Sequence, residues 1–158
     1  MLLPEYTDIR IRKSQNGRQE VLDVLRQRFV TLTPEEWVRQ HFVNWLITEK
    51  GYPKALMANE VELRVGEKKL RMDSVLFGSD MKPRAIMEYK AESVPLTRKV
   101  LTQIATYNMM LHVDWLMVSN GDQHVCLHYD KETDRWKFMS EIPNYDSLMA
   151  ESETQARA

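Results

Sequence analysis

Two carboxylates and one ammonium stand out in the middle of this 158-residue chain: Asp73, Glu88 and Lys90. Their neighbours are apolar, with Met72, Val75 and Leu76 around the first and Ala85, Ile86 and Met87 before the other two. Charged groups in such company must be paired or bound to a metal, because unpaired burial costs several kcal/mol. Two nearby carboxylates suit a hard cation such as Mg2+ or Mn2+. A lysine beside them can hold an attacking water or stabilise charge developing on a phosphate. The chemistry such a set suits is metal-dependent hydrolysis of a phosphodiester. The competing reading is structural: a cross-strand salt bridge of Asp73 or Glu88 with Lys90 or Arg71.

The elements that must position these groups follow from periodicity. Residues 70–77 and 84–90 read as strands joined by the polar Gly- and Pro-containing link 78–83, so they return as a hairpin that brings Asp73 near Glu88. Glu88 and Lys90 are two apart, hence on one face and about 6.6 Å apart along the strand. Val61, Leu63 and Val65 alternate with charged residues in a strand just before them. A helix over 96–111 carries Leu96, Val100, Ile104, Tyr107 and Leu111 on one face and leads into the wholly apolar strand 115–118. A strand–helix–strand crossover predicts that 84–90 and 115–118 run parallel. Asn120-Gly121 then turns the chain into strands at 125–129 and 136–139.

Upstream, residues 9–13 and 18–24 alternate around Ser14-Gln15-Asn16-Gly17, which predicts an N-terminal β-hairpin, then a short helical turn near 22–28. Thr33, Pro34 and Glu36 write a helix start, with Val38, Phe42, Trp45 and Leu46 as its apolar stripe and Gly51 as its stop. Glu36 at this position can cap the Thr33 N–H and complement the helix dipole. The fold class is α/β, or α+β: a mixed sheet flanked by helices, with an N-terminal hairpin. One domain over 1–146 is expected, with 147–158 a frayed polar tail.

The stretch Arg71-Met72-Asp73, then Ile86-Met87-Glu88-Tyr89-Lys90, resembles the PD-(D/E)XK nuclease signature. Residues 32–40 (LTPEEWVRQ), Gln103-Ile104-Ala105-Thr106-Tyr107 and Val118-Ser119-Asn120-Gly121 resemble elements of the N-terminal domain of type I restriction enzyme R subunits and small standalone relatives. The likeness runs over residues 9–143. It implies a restriction-endonuclease-like fold, with a central mixed sheet between helices. It implies a Mg2+-dependent DNA endonuclease in which Asp73, Glu88 and the backbone carbonyl of Tyr89 ligate the ion. Lys90 would position the water or stabilise the transition state. Glu36 would approach the metal from the first helix, and Gln103 would line the site from the second. It implies DNA as partner, and a homodimer or larger restriction-type complex. The alternative is a catalytically inactive nucleic-acid-binding or assembly module that retains the fold.

Other groups are weighed against bland roles. Gln103, between Val100 and Ile104, needs either the site or a structural hydrogen bond as partner. Tyr107 and the four tryptophans, Trp37, Trp45, Trp115 and Trp136, read as core or packing residues. His124, Cys126 and His128 alternate on one strand face, which spreads the histidines about 13 Å and argues against one zinc ion. Arg98 and Lys99 open a helix, where a phosphate would relieve their conflict with the dipole. Arg10, Arg12, Lys13 and Arg18 give the hairpin a basic face that reads first as a solvated surface. Lys plus Arg (22) nearly balances Asp plus Glu (23), so nucleic-acid or membrane binding needs a local patch. The single Cys126 excludes an internal disulfide. The absence of a membrane-length apolar run, of a signal-like start and of G-x-x-x-x-G-K predicts a cytoplasmic chain that binds no membrane and no ATP.

Overall fold

The computed structural model describes residues 9–157, with side chains to residue 154. Residues 1–8 and 158, which the expected domain and tail include, lie outside the described residues. The chain begins with a small antiparallel sheet, β1 (Ile11–Lys13), β2 (Gln19–Asp23) and β3 (Arg28–Thr31). Gly17 at φ 76° closes the first turn, as Asn-Gly predicts. The helical turn expected near 22–28 is instead a second hairpin turn. Buried Asp23 accepts the N–H groups of Leu25 (2.9 Å) and Arg26 (3.0 Å) and the Arg26 Nε–H (2.6 Å). This side-chain-to-backbone bonding competes with helix and reverses the chain.

Helix α1 (Pro34–Glu49) starts where its cap sequence places it, with Thr33 Oγ1 accepting the Glu36 N–H at 3.1 Å. Only half of the capping box forms, because the Glu36 carboxylate turns instead to Gln40 and Arg39. Glu36, Arg39, Gln40 and His41 are buried along with Val38, Phe42, Trp45 and Leu46. The helix is therefore enclosed on more than its apolar stripe. It touches both the small sheet, where Gln40 Oε1 accepts the Val24 N–H, and the large one.

The large sheet orders β4 (Met57–Val65), β5 (Lys68–Phe77), β6 (Pro83–Tyr89), β7 (Trp115–Ser119), β8 (His124–Asp130) and β9 (Arg135–Phe138) side by side. All neighbours are antiparallel except β6 and β7, which are parallel and joined through α2 (Arg98–Met109) as the crossover predicts. Period-two alternation divides the core. Met87, Tyr89 and Met117 meet Phe42, Trp45 and Leu46 of α1, while Ile86, Leu116 and Val118 meet Leu101 and Ala105 of α2.

The segment from Ser147, expected to fray, forms most of a helix, α3 (Tyr145–Arg157). Its anchor is Leu148, fully buried in the α1-side core, with Ile142 just before it. One deeply placed leucine among polar neighbours docks a helix without leaving a periodic stripe in the sequence. Tyr107 departs from its expected core placement, at 38% exposed, while its hydroxyl does find a partner: it accepts the Arg71 N–H at 2.9 Å and donates to the Arg71 carbonyl at 3.4 Å. Trp45 and Trp115 are core, Trp136 is half-buried, and Trp37 stays partly exposed against His41.

Candidate functional site

The site forms where two ladders of the sheet come apart. Pairing of β5 with β6 runs back only to Ser74 and Met87. One step further, where Asp73 and Glu88 would face each other, the Tyr89 N–H donates to Asp73 Oδ2 at 2.9 Å. On the other edge of β5, Asn59 pairs with Ser74 and Val61 with Met72, but Glu60 between them takes a left-handed φ of 55°. Asp73 thus sits between two interrupted pairings, which frees its carboxylate to face a neighbour rather than to lie flat in a ladder.

That neighbour is Glu88. The two carboxyl groups lie within hydrogen-bonding reach of each other. Burial, then the Asp73 charge and their hydrogen bond, push Glu88 up to about 9, against the opposing pull of Lys90 and Arg39. Glu88 and Lys90 line a pocket of about 290 Å3 together with Arg71, Val94, Val100, Gln103, Ile104 and Tyr107. Gln103 and Tyr107, one helical turn apart, form its α2 wall. Val94 is placed by Asn120, whose amide donates to the Val94 carbonyl at 2.9 Å while its oxygen accepts the Asp122 and Gln123 N–H groups.

The structure therefore brings Asp73 against Glu88 and sets Glu88, Lys90 and Gln103, an exposed residue, in one pocket that Asp73 does not itself line. It does not bring Glu36 there. Glu36 Oε1 accepts the Gln40 amide at 3.0 Å, and Oε2 lies 3.5 Å from Arg39 Nε, on the α1 side. Arg71, the partner in the structural salt-bridge reading, donates instead to Glu60 Oε2 at 2.9 Å.

A family model described as Type I restriction enzyme R protein N terminus matches residues 34–143. This chain belongs to that family. The matched span runs from the first residue of α1 to beyond β9, so it holds all the side chains just described. Among solved structures, the R-protein N-terminal domain here is similar in fold to a fragment assigned as an HsdR subunit of a type I restriction enzyme from Vibrio vulnificus YJ016. The TM-score is 0.53 and the identity 22%. The match covers 75% of this chain and 25% of that one, so the chain spans about a quarter of the length of that relative. No curated protein matches it. None of the described helices is long and apolar enough to cross a membrane.

A buried polar chain supports the site of this R-protein N-terminal domain. Tyr89 OH donates to Ser74 Oγ (3.0 Å), Ser74 Oγ donates to Asn59 Oδ1 (2.5 Å), and the Asn59 amide donates to both oxygens of Asp23 (3.0 and 3.1 Å). It links the turn of the small sheet to the strand bearing Glu88. Sequence reasoning missed it, since Asn59 and Ser74 carry no motif; two polar residues among the apolar residues of adjacent strands are the available signal. Asn59→Ala strips a partner from buried Asp23 and Ser74. The expected cost is about 2 kcal/mol in urea unfolding.

The tempting metal set in β8 has other employment. His124 packs on Phe42 and Trp45 and meets Ser119 Oγ, and His128 stacks on Trp115 and faces Glu151. Cys126 is buried between them and its thiol is pushed up to about 12, chiefly by burial.

Proposed function

We propose that this domain is a Mg2+-dependent endonuclease module that hydrolyses DNA phosphodiesters, with Mn2+ able to substitute. The observation that carries the reading is the pair Asp73–Glu88. Two acids crowded at a break in the sheet, one of them held protonated by burial and by the other, make a strained arrangement unless a cation joins them. The donor set fits such an ion: Asp73 and Glu88 would hold it, with the Tyr89 backbone carbonyl as a further hard oxygen. When bound, the ion supplies positive charge to a phosphate and acidity to a water.

The chain's own residues do the rest. The Tyr89 N–H fixes one Asp73 oxygen and so orients the carboxylate. Glu88 would hold the ion in its ionised form, without the proton that burial and Asp73 keep on it in the free protein. Lys90, in the same pocket, aims an ammonium at an attacking water or at a phosphate oxygen. Gln103 offers an amide from the opposite wall to the same group. Glu36 serves from behind, holding Arg39. DNA is the substrate in this reading, and a restriction-type complex is the setting in which it acts.

One observation favours a second reading, a DNA-binding or assembly module without turnover. Among the described residues no three His, Cys, Asp or Glu side chains converge on one point, so a cation would complete its shell with main-chain oxygen and water. Mn2+ titration by calorimetry separates the two. The nuclease reading expects saturable binding by the wild type that Asp73→Ala abolishes. Absence of any heat from the wild type rejects it.

A further inference from the structure

Arg71 stands at the mouth of this pocket, and more structure is spent on holding it than an exposed arginine ordinarily receives. Its side chain is 70% exposed, yet it is fixed from two directions. Its backbone is pinned by the Tyr107 hydroxyl, which bonds both its N–H and its carbonyl. Its guanidinium Nη2 donates to Glu60 Oε2 at 2.9 Å. Glu60 is itself held: its other oxygen accepts Arg39 Nη2 at 2.6 Å, and Arg39 is buried, with its Nη1 left without a partner. The Glu60 backbone pays for this placement with a left-handed φ of 55°, a conformation rarely taken by residues other than glycine, asparagine and aspartate. Buried Arg39 thus holds Glu60, Glu60 holds the Arg71 guanidinium, and the Tyr107 hydroxyl holds the Arg71 backbone.

A surface ion pair alone does not account for that investment, since exposed pairs contribute little stability. What the arrangement does produce is a largely exposed guanidinium tied at Nη2 to Glu60, with Glu62 Oε1 4.0 Å from its Nε, standing beside Glu88, Lys90 and Gln103. A planar fork restrained in this way loses little freedom when an anion with matching oxygens arrives. Lysine at this position would bring charge without the fork.

We infer that Arg71 is the residue that grips a phosphate of the DNA strand entering the pocket, with Tyr107, Glu60 and Arg39 as the residues that position it. The inference rests on the nuclease reading for its substrate, and adds the residue by which that substrate is held. It also gives the Tyr107 hydroxyl and buried Arg39 a purpose that packing does not supply.

The test is binding of a fluorescein-labelled 20-base-pair duplex, followed by anisotropy at several salt concentrations with divalent ions chelated, so that no cleavage occurs. Arg71→Ala is expected to weaken binding roughly tenfold. It should also flatten the plot of log affinity against log salt by about 0.9, one phosphate contact. Arg71→Lys should restore the slope but not the full affinity. Glu60→Gln keeps the Arg71 charge but weakens its tether. It should leave the slope unchanged while lowering affinity a few-fold. Circular dichroism melts of each variant report that the fold is intact. If the wild type binds the duplex and Arg71→Ala shares both its affinity and its slope, this inference fails while the nuclease reading stands. If the wild type binds no duplex in chelator or with Ca2+ present, the nuclease reading fails and this one with it.

Discussion

Asp73→Ala and Lys90→Ala should each lower Mg2+-dependent nicking of supercoiled plasmid by about a thousandfold, through different losses. Asp73→Ala removes a carboxylate from the cation site and the acceptor of the Tyr89 N–H. It should therefore abolish both Mn2+ binding and cleavage. Lys90→Ala leaves both acids in place and removes the ammonium that shares the Glu88 pocket. It should bind Mn2+ at least as tightly as the wild type, because a nearby positive charge is gone, and still fail to cut. Arginine is not an equivalent at position 90, since its planar fork cannot replace a compact ammonium in a pocket this small. Cleavage that persists in both variants would show that the activity belongs to another site or another protein. Loss in both with Mn2+ binding retained in both would remove Asp73 from the cation site.

The order of strands and helices was legible because each element carries its own period. The alternation of β4, the Thr33 cap of α1 and the crossover between β6 and β7 all appear in the structure where the pattern puts them. What escaped was structure written by single side chains. Asp23 turns a segment with some helical character into a hairpin through hydrogen bonds to two successive N–H groups. Leu148 docks α3 with one buried side chain in a polar run. Neither leaves a periodic trace, since one residue has no period.

The site shows the same division. The closeness of Asp73, Glu88 and Lys90 was legible from residue type and spacing, because strands fix where such offsets point. Gln103, by contrast, was placed at the site by the family resemblance, and its spacing alone left a structural role open. Glu60 was not legible. In sequence it is one of two glutamates alternating with valine and leucine in a strand, and reads as solvent-facing. In the structure its backbone flips to positive φ and its carboxylate bridges Arg39 and Arg71. The sequence reading sent Glu36 toward the metal and left Arg39 unremarked. Burial reversed their standing, since a guanidinium at 5% exposure draws in every carboxylate within reach, Glu36 and Glu60 among them.

Glu88→Gln should make the protein more stable at neutral pH without divalent ions, by about 2 kcal/mol. In the unfolded chain Glu88 titrates near the ordinary glutamate value of 4.5, whereas the fold holds it protonated up to about 9. Between those values the native state binds the proton that the unfolded state has released. The wild type is therefore at its full stability below about pH 4.5 and loses part of it as pH rises toward 9, at up to about 1.4 kcal/mol per pH unit. Glutamine cannot ionise, so the variant escapes that loss. Acids held below their usual range, such as Asp23 and Glu60, give the opposite trend, with stability lost as pH falls, but they are common to both proteins and cancel in the comparison. Urea melts from pH 5 to pH 8 should show the gap between variant and wild type widening with pH. Mn2+ should reverse the order: the wild type gains stability and releases close to one proton on binding, and the variant gains none. Parallel stability curves across that range would mean that Glu88 is ionised in the free protein, and the crowding that marks this pair as a cation site would be gone.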